Sequence, residues 1–177
     1  MINKMRKICF VTGSRADYSP LYPLIKLASD SKKIKFQLIA TCMHLSPKFG
    51  NTYKEIENDG FKIDAKVYNV LSVENETAMA KTTSLAIMEL SNVFYNMKPD
   101  AVLTVADRYE TIGTSIAAAY QNIPLIHLQG GEVTGNIDEK VRHANTKLAD
   151  IHFVSSLPSE ERVIRMGENP EFVFNTG

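Results

Sequence analysis

The chain has 177 residues, 44% of them hydrophobic and 23% charged, enough for one domain with a real core. Its 20 Lys and Arg balance 20 Asp and Glu, so the net charge is zero. That excludes a general nucleic-acid binder, which needs a cationic surplus, but leaves room for a local basic pocket. No apolar run is long enough to span a bilayer, so no membrane partner is expected.

The opening MINKMRK is basic, but the apolar ICFVTG behind it is short and runs into a polar SRAD loop. It has the character of a first strand of a cytoplasmic protein rather than a signal peptide. Short Val-, Ile- and Phe-rich runs then alternate with helical patterns. Strands are expected at 8–12, 36–41, 61–67, 101–105, 125–128, 151–154 and 172–175. Their near-continuous apolar character suits strands covered on both faces. Ser19-Pro20 suggests a helix cap followed by a first-turn proline, with Leu21, Leu24, Ile25 and Ala28 continuing at helical spacing. A long helix is expected to carry Met79, Thr83, Ala86, Leu90, Val93 and Met97 on one face, and another to run over about 110–121. This alternation predicts an α/β fold with a doubly wound parallel sheet. Cys9 and Cys42 have no CxxC or Cys/His spacing and are expected to be free core thiols, with no metal site.

Ligands of an open α/β sheet bind beyond the C-terminal ends of its strands, so the residues after each strand carry the functional expectations. After the first comes GSRADY, where a glycine turn, a hydroxyl and Arg15 before a helix could cradle an anion. A solvated turn in which Asp17 helps cap the helix is an equal alternative. The run is not GxGxxG and no acidic residue clearly ends the second strand, so a dinucleotide cofactor is not expected. His44 follows the second strand, with structural and functional readings evenly balanced. Asp107 and Arg108 follow the fourth. They could be a helix cap and a surface residue, or they could serve the hydroxyl and phosphate of a sugar phosphate. The densest segment is HLQGGEVTGNIDE, then Arg142-His143. Its three glycines allow close backbone approach to a ligand. Asn136 and Glu139 could form a capping box, and Asp138 with Arg142 and Glu139 with His143 stand one turn apart. Two histidines, three acids and an arginine around a glycine loop exceed what capping requires.

Taken in order, GSRADYS, the isolated His44 before GNTY, ADRYE, HLQGGEVTGNIDEKVRHANTKL and IHF resemble the hydrolysing UDP-N-acetylglucosamine 2-epimerases. The related non-hydrolysing enzymes typically open with a GTRPE-like run, so RADY points to the branch that supplies sialic-acid-type synthesis. The resemblance implies the N-terminal Rossmann-like half, residues 1–177, of a two-domain fold similar to nucleotide-sugar glycosyltransferases, with the C-terminal nucleotide-binding half absent from this chain. It implies a nucleotide-sugar substrate, no cofactor, and a homo-oligomer at full length. The implied chemistry is elimination of UDP from UDP-N-acetylglucosamine to a glycal, then hydration to N-acetylmannosamine. Carried over by position, Arg15, Ser19 and Arg108 match UDP contacts, and Asp17, His44, Asp107, His127 and Asp138 match positions implicated in catalysis. Glu132 joins the catalytic candidates, and Gln129, Arg142 and His143 the substrate-binding ones. The departure is Gln129, where better-studied members read HIEGGE with a glutamate; glutamine cannot act as a base. Either Glu132 or Asp138 then carries the load, or the substrate is a 2,4-diacetamido-6-deoxy nucleotide sugar of the legionaminic acid route. A glycosyltransferase of the same architecture and a non-enzymatic nucleotide-sugar-binding module are the competing readings.

Overall fold

The computed structural model describes residues 5–73 and 75–177; most of the basic opening, residues 1–4, lies outside them. The elements run β1 (Arg6–Thr12), α1 (Arg15–Asp30), β2 (Ile34–Thr41), α2 (Tyr53–Asn58), β3 (Ala65–Val67), α3 (Glu76–Met97) and β4 (Ala101–Val105). They continue as α4 (Thr111–Tyr120), β5 (Leu125–Leu128), α5 (Ile137–Leu148), β6 (Ile151–Val154), α6 (Leu157–Arg165) and β7 (Val173–Asn175). The strands form one seven-stranded sheet in the order β3-β2-β1-β4-β5-β6-β7. Every pairing is parallel. The order reverses between β1 and β4, the switch point beside which such sheets bind ligands.

Alternation along the strands divides the core in two. Cys9 and Val11 of β1 face one way, with Ala86, Leu90 and Phe94 of α3 and Ala117 and Ala118 of α4. Phe10 faces the other way, with Leu21, Ile25 and Ala28 of α1 and Ile56 of α2. Both cysteines are buried and free, and burial raises both thiols well above their ordinary range. Among the described residues no helix is long and apolar enough to cross a membrane.

Several local expectations need correction. The first helix begins at Arg15 with Ser14 as its extended N-cap, so Ser19 and Pro20 lie inside it rather than at its start. Pro20 and Pro23 deprive the carbonyls of Ala16 and Ser19 of helical partners, and both those residues are exposed, where water can serve instead. The third strand is confined to Ala65–Val67, because only that stretch pairs with β2. On α3 the buried stripe is Ala78, Thr82, Ala86, Leu90 and Phe94; Ala86 and Leu90 fall on the expected face, while Ala78 and Thr82 replace the expected Met79 and Thr83. Val93 and Met97 only flank the core. The last strand starts at Val173, after a 3-10 turn over Pro170–Phe172.

Candidate functional site

Three non-glycine residues take left-handed backbone directly after a strand: Cys42 after β2 (φ 48°), Ala106 after β4 (φ 57°) and Gln129 after β5 (φ 60°). Such backbone costs energy for a residue with a Cβ and persists where surroundings enforce it, often at functional sites. All three lie on one edge of the sheet, the edge that carries the candidate residues.

At the end of β1, Gly13 is closely ringed. A Cβ there would stand 3.3 Å from Asp17 Oδ2, 3.3 Å from Thr41 Oγ1 and 3.4 Å from Glu110 Oε1. Asp17 sits in the first turn of α1 and accepts from the Gly13 amide at 3.0 Å. Burial first, and then the charge of Glu110, push the Asp17 carboxyl up to about 6, against the pull of that amide. Asp17 is thus a buried acid behind the loop rather than a solvated cap. Arg15 is exposed and ion-paired with Glu55 of α2, and Ser19 is exposed on the next turn.

His44 lies in a 3-10 turn over Cys42–Leu45 and is fully buried. Its Nε2 is 3.0 Å from Thr12 Oγ1 and its Nδ1 2.7 Å from Thr52 Oγ1. Burial lowers it to about 4, so it is neutral near pH 7. His127 is equally buried, with Nε2 3.0 Å from the Ala106 carbonyl and Nδ1 3.2 Å from Thr146 Oγ1. It too is held near 4, chiefly by burial. A carbonyl only accepts, so neutral His127 carries its proton on Nε2 and pins the left-handed Ala106 turn that presents Asp107.

The centre of the site is an ion pair 35 residues apart in sequence. Arg142 of α5, with a side chain 4% exposed, binds the carboxylate of Asp107, 18% exposed. Arg142 Nη1 also donates to the Glu132 carbonyl at 2.9 Å, tying the glycine loop to α5. The expected helical pair of Asp138 with Arg142 is therefore replaced by Asp107 with Arg142. Burial first raises the Asp107 carboxyl, Arg142 opposes this, and the charges of Asp138 and Glu132 raise it further, so the three acids share one neighbourhood. Glu132 is held by Ser155 Oγ, which donates to its Oε1 at 2.6 Å. Gln129 is half-buried, its backbone amide donating to the Phe153 carbonyl at 2.8 Å.

Asn136 does cap α5, accepting from the Asp138 amide at 2.9 Å. Glu139 does not close a capping box on it. Its Oε2 instead accepts from the Thr134 and Gly135 amides at 2.8 and 2.7 Å. The Glu139–His143 pair stands at 3.7 Å. Arg108 is half-buried; its Nε donates to Glu110 Oε1 at 2.8 Å and its Nη2 reaches Met43 Sδ at 3.3 Å. Beside Met43 and Tyr109 opens a cleft of about 300 Å³, floored by Val70, Leu71 and Met79. Among the described residues no group of three or more His, Cys, Asp or Glu gathers as a metal ion would require.

Sequence reasoning misses Glu110, which reads only as a helix start. Its signal is an acid in the same four-residue run as Asp107 and Arg108. The sheet order and the acid–arginine cluster at the C-terminal strand ends define a Rossmann-like α/β domain with a candidate site at its switch-point edge. A family profile described as UDP-N-acetylglucosamine 2-epimerase matches residues 26–177, and the chain belongs to that family. It is 41% identical over 173 residues to the UDP-N,N'-diacetylbacillosamine 2-epimerase (hydrolyzing) of Legionella pneumophila, covering 98% of this chain and 46% of the relative. It is also 41% identical to the GDP/UDP-N,N'-diacetylbacillosamine 2-epimerase (hydrolyzing) of Campylobacter jejuni, covering 97% and 45%. A crystal structure of UDP-N-acetylglucosamine 2-epimerase superposes with a TM-score of 0.86 at 25% identity, covering 98% of this chain and 48% of that one. The chain thus spans about half the length of the relatives it matches.

Proposed function

We propose that this chain is the N-terminal half of a hydrolysing nucleotide-sugar 2-epimerase, and that its substrate is a UDP sugar of the 2,4-diacetamido-6-deoxy type. The single observation that carries the first part is the Asp107–Arg142 pair flanked by Asp138 and Glu132 over the glycine loop. The second part is supported by the two relatives at 41% identity, both named for diacetylbacillosamine, and by glutamine rather than glutamate at position 129.

The chemistry follows from what such a cluster does. The C2 proton of the sugar is barely acidic, so departure of UDP from C1 leads and positive charge develops on the ring. Carboxylates nearby stabilise that charge, and one of them takes the C2 proton to leave a glycal. Water then adds across the double bond, its hydroxyl to C1 and a proton to C2 from the opposite face. The sum is nucleotide sugar plus water going to UDP plus the 2-epimeric sugar. In this scheme Asp138 and Glu132 exchange protons, and Asp107 stays charged through Arg142. Arg15, Ser19 and Arg108 face the nucleotide, and Gln129 and His143 face the sugar. His44 and His127, with both ring nitrogens already engaged, hold the turns that carry the reacting groups.

The test is release of free UDP without an acceptor by the full-length enzyme, from both UDP-N-acetylglucosamine and the 2,4-diacetamido-6-deoxy sugar. Faster turnover of the diacetamido sugar is expected. If Gln129 reads the extra amide, Gln129→Glu should lower kcat/KM on that sugar by roughly ten- to a hundredfold, the cost of an unpaired polar group. A wild type that prefers plain UDP-N-acetylglucosamine and is unharmed by Gln129→Glu would end the substrate assignment. Transfer to an acceptor without hydrolysis would end the epimerase reading.

A further inference from the structure

Glu110 is 3% exposed, and one of its two carboxylate oxygens is buried with no hydrogen-bond partner among the described residues. An ionised carboxylate is costly to bury half-satisfied, so its retention asks for a reason. Its other oxygen takes the Arg108 Nε–H at 2.8 Å. That same oxygen and Asp17 Oδ2 both lie within 3.4 Å of the one point where a Gly13 Cβ would stand. Two acids from α1 and the start of α4 therefore face each other across the glycine of the first loop, and the guanidinium bonded to Glu110 also reaches Met43 in the cleft wall.

We propose that Glu110 is a positioning residue: it fixes Arg108 beside the cleft and, by facing Asp17 across Gly13, sets how tightly that acid holds a proton. The inference rests on the reading of Arg108 as a nucleotide contact, but its second half stands on the approach of two buried acids at Gly13. The groups around Asp17 are the Gly13 amide, Ser14, Arg108 and Glu110. Around Glu110 stand Arg108, Asp17, Tyr109 and the Cys42 thiol. Among these, Arg108 is the cation. Burial works against its charge, and the charge and hydrogen bond of Glu110 overcome this and hold it above its usual value. Burial first and then the charge of Glu110 raise Asp17 to about 6, against the pull of the Gly13 amide and Arg108. Glycine at position 13 is what permits the approach, since a Cβ would crowd both acids.

The experiment uses full-length enzyme with carbon-13 at the aspartate carboxyls, titrated by NMR, alongside UDP affinity and steady-state rates. In the wild type Asp17, assigned by loss of its signal in Asp17→Asn, is expected to titrate near pH 6. Glu110→Gln keeps the shape and the acceptor for Arg108 but removes the charge. It should lower the Asp17 value by about one pH unit and weaken UDP binding and raise KM roughly tenfold, with kcat changed less. Glu110→Asp keeps the charge but not the reach, so Asp17 should stay raised while UDP affinity falls. A merely structural Glu110 would alter melting temperature and leave the Asp17 titration in place, and that result overturns the proposal. If neither variant folds, the wild type still decides, because Asp17 titrating below about pH 5 defeats the influence of Glu110 on it. An enzyme inactive on every nucleotide sugar, with the Asp17 shift intact, would sink the epimerase reading and leave this pairing standing.

Discussion

At the scale of single residues, the site gives up stability to hold side chains in place. His44 and His127 are refused protons by burial and lie near 4, against an ordinary value of 6.5. The unfolded chain takes up those two protons as pH falls from 6.5 towards 4 and the fold does not, so acid costs stability in that window. Each proton is worth about 1.4 kcal/mol per pH unit. Asp17 works the other way: raised to about 6, it binds a proton in the fold that the unfolded chain still releases, which offsets one of the two. Net loss of melting temperature from about pH 6.5 to 4.5 is therefore expected, and His127→Gln should flatten the slope relative to wild type. Equal slopes in the two proteins would show that His127 titrates normally. Gln129 gives up stability through its backbone. Gln129→Gly relieves the left-handed strain and should stabilise the fold by about 1 kcal/mol while lowering activity if the side chain meets substrate. Denaturant melts and kcat/KM of the same variant decide, and full activity in Gln129→Gly would remove this side chain from the site.

At the scale of elements, the glycine loop is fitted against α6. A Cβ on Gly131 would stand 2.4 Å from the Ser159 carbonyl oxygen, and the residue already has φ +81°. The Arg162 guanidinium clamps the Gly131 carbonyl from the same helix. Gly131→Ala must move α6 or the loop, and a loss of about 3 kcal/mol is expected, read from urea unfolding; a loss under about 1 kcal/mol would mean that the packing is slack there. Which elements are legible in the sequence follows from the same local physics. The strands at 8–12, 101–105, 125–128 and 151–154 are readable because they are apolar along most of their length, as central strands between two helical layers must be. The start of α1 is not, because Ser19-Pro20 imitates a cap, whereas Ser14 caps without a side-chain hydrogen bond and leaves little trace. The candidate residues are visible as a set, because strand ends on a parallel sheet share one edge. Their partners are not. In sequence Arg142 looks paired with Asp138, one turn away, whereas the fold brings Asp107 to it from 35 residues upstream.

At the scale of the whole molecule, the site is a surface rather than an enclosure. Arg15 and Ser19 stand in solvent, and Asp107 and Glu132 are partly open. The second sheet face is also incompletely covered. Beside α1 runs a groove of about 450 Å³ walled by Phe10, Leu103, Ile126 and Phe153, with Leu27 70% exposed at its rim. A parallel sheet normally buries both faces. Relatives about twice as long carry a further half that this chain does not match. If the proposed reaction is right, elimination of UDP needs the leaving group held, water excluded until the glycal forms, and the carboxylates desolvated, and an open edge supplies none of these fully. Residues 1–177 alone are therefore expected to bind nucleotide sugar weakly and to release UDP at no more than about a thousandth of the full-length rate, the loss expected when closure and half the contacts are missing. Mixing this chain with the half of the longer relatives that it does not match, taken from one of them, should restore turnover if the two dock. A coupled assay for UDP, run on the chain alone and on the mixture, decides it. Robust hydrolysis by residues 1–177 would mean that the acids around Arg142 suffice without closure.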